Sequence, residues 1–141
     1  MSNSEIKVIP LKRINTSGGD VLHALKSSDE DFKSFGEIYF SWVEKNAVKA
    51  WKKHTRMSMN LVVPVGLVRF VFYNEVNQEF KIHEIGESNY MRLFVPPNTW
   101  FGFQGVYAER SLVTNISNIL HDPEEVDRRL PEEIEYNWEL I

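Results

Sequence analysis

The stretch Val48–Asn74, VKAWKKHTRMSMNLVVPVGLVRFVFYN, decides how the rest of the chain is read. It falls into two parts. The first, Lys49 to Arg56, packs four basic residues, His54 and Trp51 into eight positions. The second, Leu61 to Tyr73, is almost entirely β-branched or aromatic, interrupted by Pro64, Gly66 and Arg69. Such residues suit a pleated, half-buried surface, so the second part is expected as strand. Pro64-Val65-Gly66 is a turn signal, which predicts two strands, Met57–Val63 and Leu67–Tyr73. A basic, titratable cluster is thus carried by an extended segment to the edge of an apolar β core, where a small β protein would keep a ligand site.

Further strands are expected on either side of this centre, at Ile6–Leu11, Val21–Ser28, Phe35–Val43, Phe80–Glu84, Met91–Val95, Trp100–Phe103 and Ser111–Ile116. Gly105–Arg110 is read as the connection between the last two. From His121 the texture changes. Asp122 suits an N-cap, Pro123 the first helical position, and Glu124 and Glu125 a first turn, so a short C-terminal helix is expected. Tyr136 and Trp138 are expected to pack back on the body. Many short strands spaced by turn signals indicate an all-β sandwich or barrel, in one domain over residues 1–141.

The totals narrow the function classes. The chain is 43% hydrophobic and 13% aromatic, enough for a substantial core, and its formal charge is −4. That balance argues against a nucleic-acid partner, which requires a net basic face. There is no cysteine, hence neither a disulfide framework nor a thiolate metal site. No signal-like run opens the chain and no segment reaches the roughly 18 apolar residues of a membrane span. A soluble cytoplasmic protein, independent of membranes, is the expectation.

Three pieces together resemble one family. VKAWKKH followed by NLVVPVGLVRFVFYN, then RLFVPPNTWFGF, then HDPEEVDRRLPEEIEYNW are similar, in that order, to the conserved blocks of dTDP-4-dehydrorhamnose 3,5-epimerases, the RmlC-like cupins. The resemblance spans roughly residues 36–138. It implies a cupin-type jelly-roll β barrel, a homodimer, and action on a nucleotide-linked 4-keto sugar without a cofactor. The departures are specific. Lys52 stands where the family has its catalytic His, and His54 lies two residues on. Met59 or Asn60 stands near the family's Lys, Phe101 at its second His, and Asn115 at or near its Tyr. The chain is therefore read as a short, divergent member.

Chemistry and resemblance together nominate the site residues. Epimerising or isomerising a keto sugar requires removing a proton beside the carbonyl, a task suited to an imidazole such as His54. The resulting enolate needs a cation or donor, and Lys52 and Arg56 are within reach in sequence. Two residues along a strand return to one face, so Lys52 and His54 should point the same way. Lys52 is either a phosphate or enolate partner or a solvated lysine. Arg69 either faces solvent or enters the barrel to meet a diphosphate. Asn60 and Asn115 are ligand contacts or hydrogen-bonded core amides. Trp100 stacks on a base or sugar, or is core. The His and Glu clusters by which cupins hold metals are absent, so no metal site is expected. Two readings follow: an epimerase or ketoisomerase of a nucleotide-linked deoxysugar, or a binding or regulatory protein on the same scaffold that has lost its chemistry.

Overall fold

The computed structural model describes residues 5–139. Ten strands follow in chain order: β1 Lys7–Pro10, β2 Arg13–Ile14, β3 Val21–Leu22, β4 Glu37–Glu44, β5 Val48–His54, β6 Met59–Asn74, β7 Glu79–Gly86, β8 Met91–Val95, β9 Trp100–Ser117 and β10 Val126–Arg128. β2 and β3 pair with each other, and the other strands form one antiparallel sheet that folds back on itself.

The fold-back is made by β6 and β9, the two long strands. The first half of β6 pairs with β8 and the end of β9; its second half pairs with β7 and the start of β9. On the other edge of β9, β5 lies against the start and β4 against the end. Two walls result. One contains β10, β5, the start of β9, the second half of β6, and β7. The other contains β4, the end of β9, the first half of β6, β8 and β1. Core residues from both walls, among them Phe70, Phe72 and Phe101 from one and Leu61, Leu93 and Val113 from the other, pack in one cluster.

Here the expectation of two strands broken at Pro64-Val65-Gly66 is corrected. β6 runs through this tripeptide as one strand, with register shifts from Val62 to Val68. Gly66 adopts φ +86, and a Cβ on it would stand 2.1 Å from Ser111 Oγ. Loose backbone groups at the bend are satisfied: Gly66 N donates to Glu87 Oε2 at 2.8 Å and Leu67 N to Ser111 Oγ at 3.1 Å. The turn residues make a bulge instead of a reversal, because ladder partners are present on both sides. The bulge also switches which side chains face inward. Met59, Leu61 and Val63 enter the core before it; Val68, Phe70 and Phe72 enter after it. Trp100–Phe103 and Ser111–Ile116 are likewise one strand, β9, with no separate connection at Gly105–Arg110.

Two further expectations change. The strand predicted over Val21–Ser28 is confined to Val21–Leu22. Among the described residues no C-terminal helix forms, only two isolated 3-10 turns, Pro123–Glu125 and Pro131–Glu133. Asp122 does cap the first, accepting from Glu124 N at 3.0 Å. The helix stops there because Val126–Arg128 pairs with Lys52–His54 and the Glu125 carboxylate is engaged across the chain. The tail does pack back: Ile134, Tyr136 and Trp138 join Trp51, Val71 and Trp100 on the outer face of the first wall.

Candidate active site

Between the walls lies a cavity of about 520 Å³, lined by Lys49, Lys52, His54, Phe101 and Phe103 from one side and by Tyr39, Ser41, Leu61, Val113 and Asn115 from the other. Arg128, Arg129, Leu130 and Glu133 frame it from the C-terminal segment. A bulge in β5 aims the basic residues. Ala50 is opposite Gly102 and Lys52 opposite Phe101, so Trp51 is the extra residue and turns to the outer cluster. Lys49, Lys52 and His54 thereby share the inner face, which regular alternation from Lys49 would not give.

His54 is buried, with 5% of its surface exposed, and its ring stacks on Phe101. Its Nδ1 lies 2.5 Å from Glu125 Oε2. The other oxygen of Glu125 accepts from Arg56 N and Met57 N, each at 3.0 Å. Burial pushes the Glu125 carboxyl up, but the bonds from His54 and the two amides outweigh it, and the group titrates below the usual carboxylate range. An ionised Glu125 accepts from a proton-bearing Nδ1, so the neutral imidazole carries its lone pair on Nε2. The dyad is therefore a base held in one tautomer.

On the opposite wall, Tyr39 and Asn115 are cross-strand partners, and Asn115 Nδ2 donates to the Tyr39 hydroxyl at 3.0 Å. Partial burial, with the nearby Glu37 carboxylate, raises the Tyr39 phenol above its ordinary value. The Lys52 ammonium is shifted down, by desolvation first and then by repulsion from Arg128 and Lys49. Neither Lys52 nor Arg128 has an ion-pair partner among the described residues. The cavity thus presents an imidazole base, a phenol across from it, and cations crowded at one side with charge to spare for an anion.

Comparisons with known proteins agree with this architecture. No family model matches the chain. Its structure superposes on that of a dTDP sugar isomerase from Desulfovibrio desulfuricans G20 with TM-score 0.90, at 34% identity, covering 94% of this chain and 90% of that one. The chain belongs to the RmlC-like dTDP-sugar isomerase and epimerase family. Within the curated proteins, this RmlC-like chain is 27% identical over 121 residues to the probable low-salt glycan biosynthesis epimerase Agl13 of Haloferax volcanii, covering 80% of this chain and 78% of that protein. The fold is shared with dTDP-4-dehydrorhamnose 3,5-epimerase from Sulfolobus tokodaii, at TM-score 0.79 and 21% identity over 93% of this chain and 80% of that one.

Of the residues nominated from sequence, the RmlC-like fold brings His54, Lys52 and Asn115 to the cavity. Four others lie elsewhere. Arg69 follows the β6 bulge, faces outward and pairs with Glu84 at 2.7 Å. Asn60 precedes the bulge on the outer side; its Nδ2 donates to Asp31 O at 3.2 Å and its Oδ1 accepts from Arg92. The Trp100 ring lies outside, between the Lys53 ammonium at 5.2 Å and the Arg129 guanidinium at 4.4 Å. Arg56 sends its side chain to Asp122 at 2.6 Å and serves the dyad through its backbone N–H alone. Sequence reasoning missed Glu125, Tyr39 and Arg128, and took Lys49 only as part of the basic cluster. Tyr39 was within reach, since alternation along EIYFSWVE puts Tyr39, Ser41 and Val43 on one face. Glu125, 71 positions from His54, left no local signal.

Proposed function

We infer that this chain interconverts a nucleoside-diphosphate-linked 4-keto-6-deoxysugar by proton transfer through an enolate, as an epimerase or ketoisomerase of deoxysugar and glycan biosynthesis. The observation that carries this reading is the His54–Glu125 dyad opening on a cavity of about 520 Å³. His54 Nε2 takes the proton from the carbon beside the carbonyl. The electron pair moves to the carbonyl oxygen, and the negative charge formed there is met by Lys52 or by the Tyr39 hydroxyl. Lys49, Lys52 and Arg128 are the cations available to the diphosphate, and the mutual repulsion that lowers the Lys52 pKa is relieved when an anion binds between them.

The enzyme in this reading is a homodimer working in the cytoplasm. Support for a dimer is the outer side of β4, where Ile38, Phe40 and Trp42 are exposed at 45%, 62% and 42%. A contiguous aromatic surface of that kind, on a strand with no partner on its second edge among the described residues, marks an interaction face.

Incubation with dTDP-4-keto-6-deoxyglucose in deuterated water tests the chemistry. Deuterium entering at the carbon next to the carbonyl, and failing to enter with His54→Asn, is the expected result. Tight binding of the nucleotide sugar with no exchange in the native protein would overturn the catalytic reading and leave a binding protein.

A further inference from the structure

We propose that Asn115 is a positioning residue for Tyr39, and that the pair, with Ser117, forms a unit presenting a phenolic proton to the enolate from the wall opposite His54. The inference rests on the reading of the cavity as a site of enolate chemistry. It assigns Asn115 a role through another side chain and not on the substrate.

Three observations carry it. First, the amide is oriented from both ends. Ser117 Oγ donates to Asn115 Oδ1 at 3.1 Å, and Asn115 Nδ2 donates to the Tyr39 hydroxyl at 3.0 Å and to Met59 Sδ at 3.2 Å. With its oxygen occupied by a donor, the amide has only N–H to offer the phenol. Second, a phenol that accepts from Asn115 cannot donate back to that group. Its own O–H is left to point elsewhere, and both residues line the cavity. Third, Tyr39 comes from β4 and His54 from β5, strands of opposite walls, so a sugar ring between them meets an imidazole on one face and a phenol on the other.

The proton balance is simple. His54 Nε2 removes a proton from one face of the carbon, forming imidazolium and enolate. The enolate pair then takes the Tyr39 proton from the other face; a C–H bond forms, the O–H bond breaks, and Tyr39 is left as phenolate. Asn115 N–H stabilises that anion. Water returns a proton to Tyr39 and removes one from His54. The Asn115 bond, with a smaller contribution from Ser117, raises the phenol's acidity against partial burial, Glu37 on its own strand and Glu125 across the cavity, which act in the opposite direction. Lys49, Lys52 and His54 are the other titratable groups on the facing wall, and Arg128, Arg129 and Glu133 face the cavity from the C-terminal segment.

The test reads Tyr39 directly. Ligand-free protein labelled with [13Cζ]tyrosine is titrated by NMR, with Tyr39→Phe used to assign the signal. Asn115→Leu and the isosteric Asn115→Asp should both raise the Tyr39 pKa, the second further because a carboxylate accepts where the amide donated. Ser117→Ala should raise it less. In the deuterium-exchange assay kcat should fall about tenfold, the worth of one hydrogen bond to a charged group, with KM held within about twofold. An unmoved Tyr39 titration in both Asn115 variants would overturn the proposal. So would a raised KM with unchanged kcat, which is the signature of an amide that binds substrate. Absence of exchange in the native protein would remove the enolate chemistry itself, while the titration would still decide whether Asn115 holds Tyr39.

Discussion

Two buried charge clusters sit on opposite sides of this protein's sheet, and they are built alike. Inside, His54 meets Glu125, with exposures of 5% and 2%. Outside, beneath the segment that follows β3, Arg92 meets Asp31 at 3.6 Å and Asp29 at 3.4 Å, and donates to Asn60. Arg92 is 2% exposed and Asp31 4%. By charge and burial alone the two could not be told apart. What separates them is what the functional atoms face. His54 spends one nitrogen on its partner and has the other available toward a hollow. The guanidinium spends both terminal nitrogens on partners, ties a loop to a wall, and turns only its side toward a smaller hollow of about 210 Å³. Buried charge therefore marks a site where a group that can exchange a proton, and not a committed cation, meets open volume.

The largest expected effect breaks the structural cluster. Arg92→Ala strands Asp31 and Asn60 without their partner and should cost about 3–5 kcal/mol in denaturant unfolding. The double replacement Arg92→Met with Asp31→Leu should recover most of that loss. If the cluster were a second site, both variants would change exchange kinetics in the protein that remains folded; no change is expected.

Glu125→Gln is the matching break inside. Proton abstraction should slow by about a hundredfold or more, since the imidazole loses the carboxylate that orients it and stabilises its charged form. The same variant sharpens the pH behaviour. The Glu125 pKa is depressed in the folded state, so its contribution to stability is complete above the ordinary carboxyl value of 4.5 and is lost as pH falls through the lower folded value. Acid unfolding curves of Glu125→Gln should lack that part of the loss. A smaller effect belongs to Gly66→Ala. At φ +86, with Ser111 Oγ in the way, the variant should lose about 2 kcal/mol from backbone strain and crowding, read as a lowered Tm. Lys52→Met should have the smallest consequence. It removes one of the crowded cations, so KM for the nucleotide sugar should rise about tenfold while thermal stability holds or improves.

The same comparison explains what could be read from the sequence. Strand composition placed most elements, because Val, Ile, Phe and Tyr report half-burial directly. The pairing of Lys52 with His54 on one face followed from the two-residue period. Arg69 and Asn60 were left with two readings each for one reason: their inward or outward sense depends on a bulge at Pro64–Gly66 that reads locally as a turn. Side chains on either side of such an inserted residue obey alternation with opposite sign, and nothing in the tripeptide announces which outcome the ladder will choose. Glu125 was hidden by a competing local pattern. Asp-Pro-Glu-Glu spells a helix start, and one turn does form, but tertiary hydrogen bonds to Arg56 N and Met57 N claim the glutamate. Trp100 was read as a platform for a base or sugar or as core; it faces the C-terminal tail in the outer cluster, which is the second of these.

β4 has a double allegiance. Tyr39 and Ser41 look into the cavity, while Phe40 and Trp42 look out, with Arg110 lying 3.9 Å over the Trp42 ring. Adjacent residues on a pleated ribbon share a backbone, so whatever settles on the aromatic exterior also steadies the phenol one position away. In the homodimer proposed above, turnover per molecule should then decline on dilution, as the exterior of the ribbon is laid bare and its reacting side loosens.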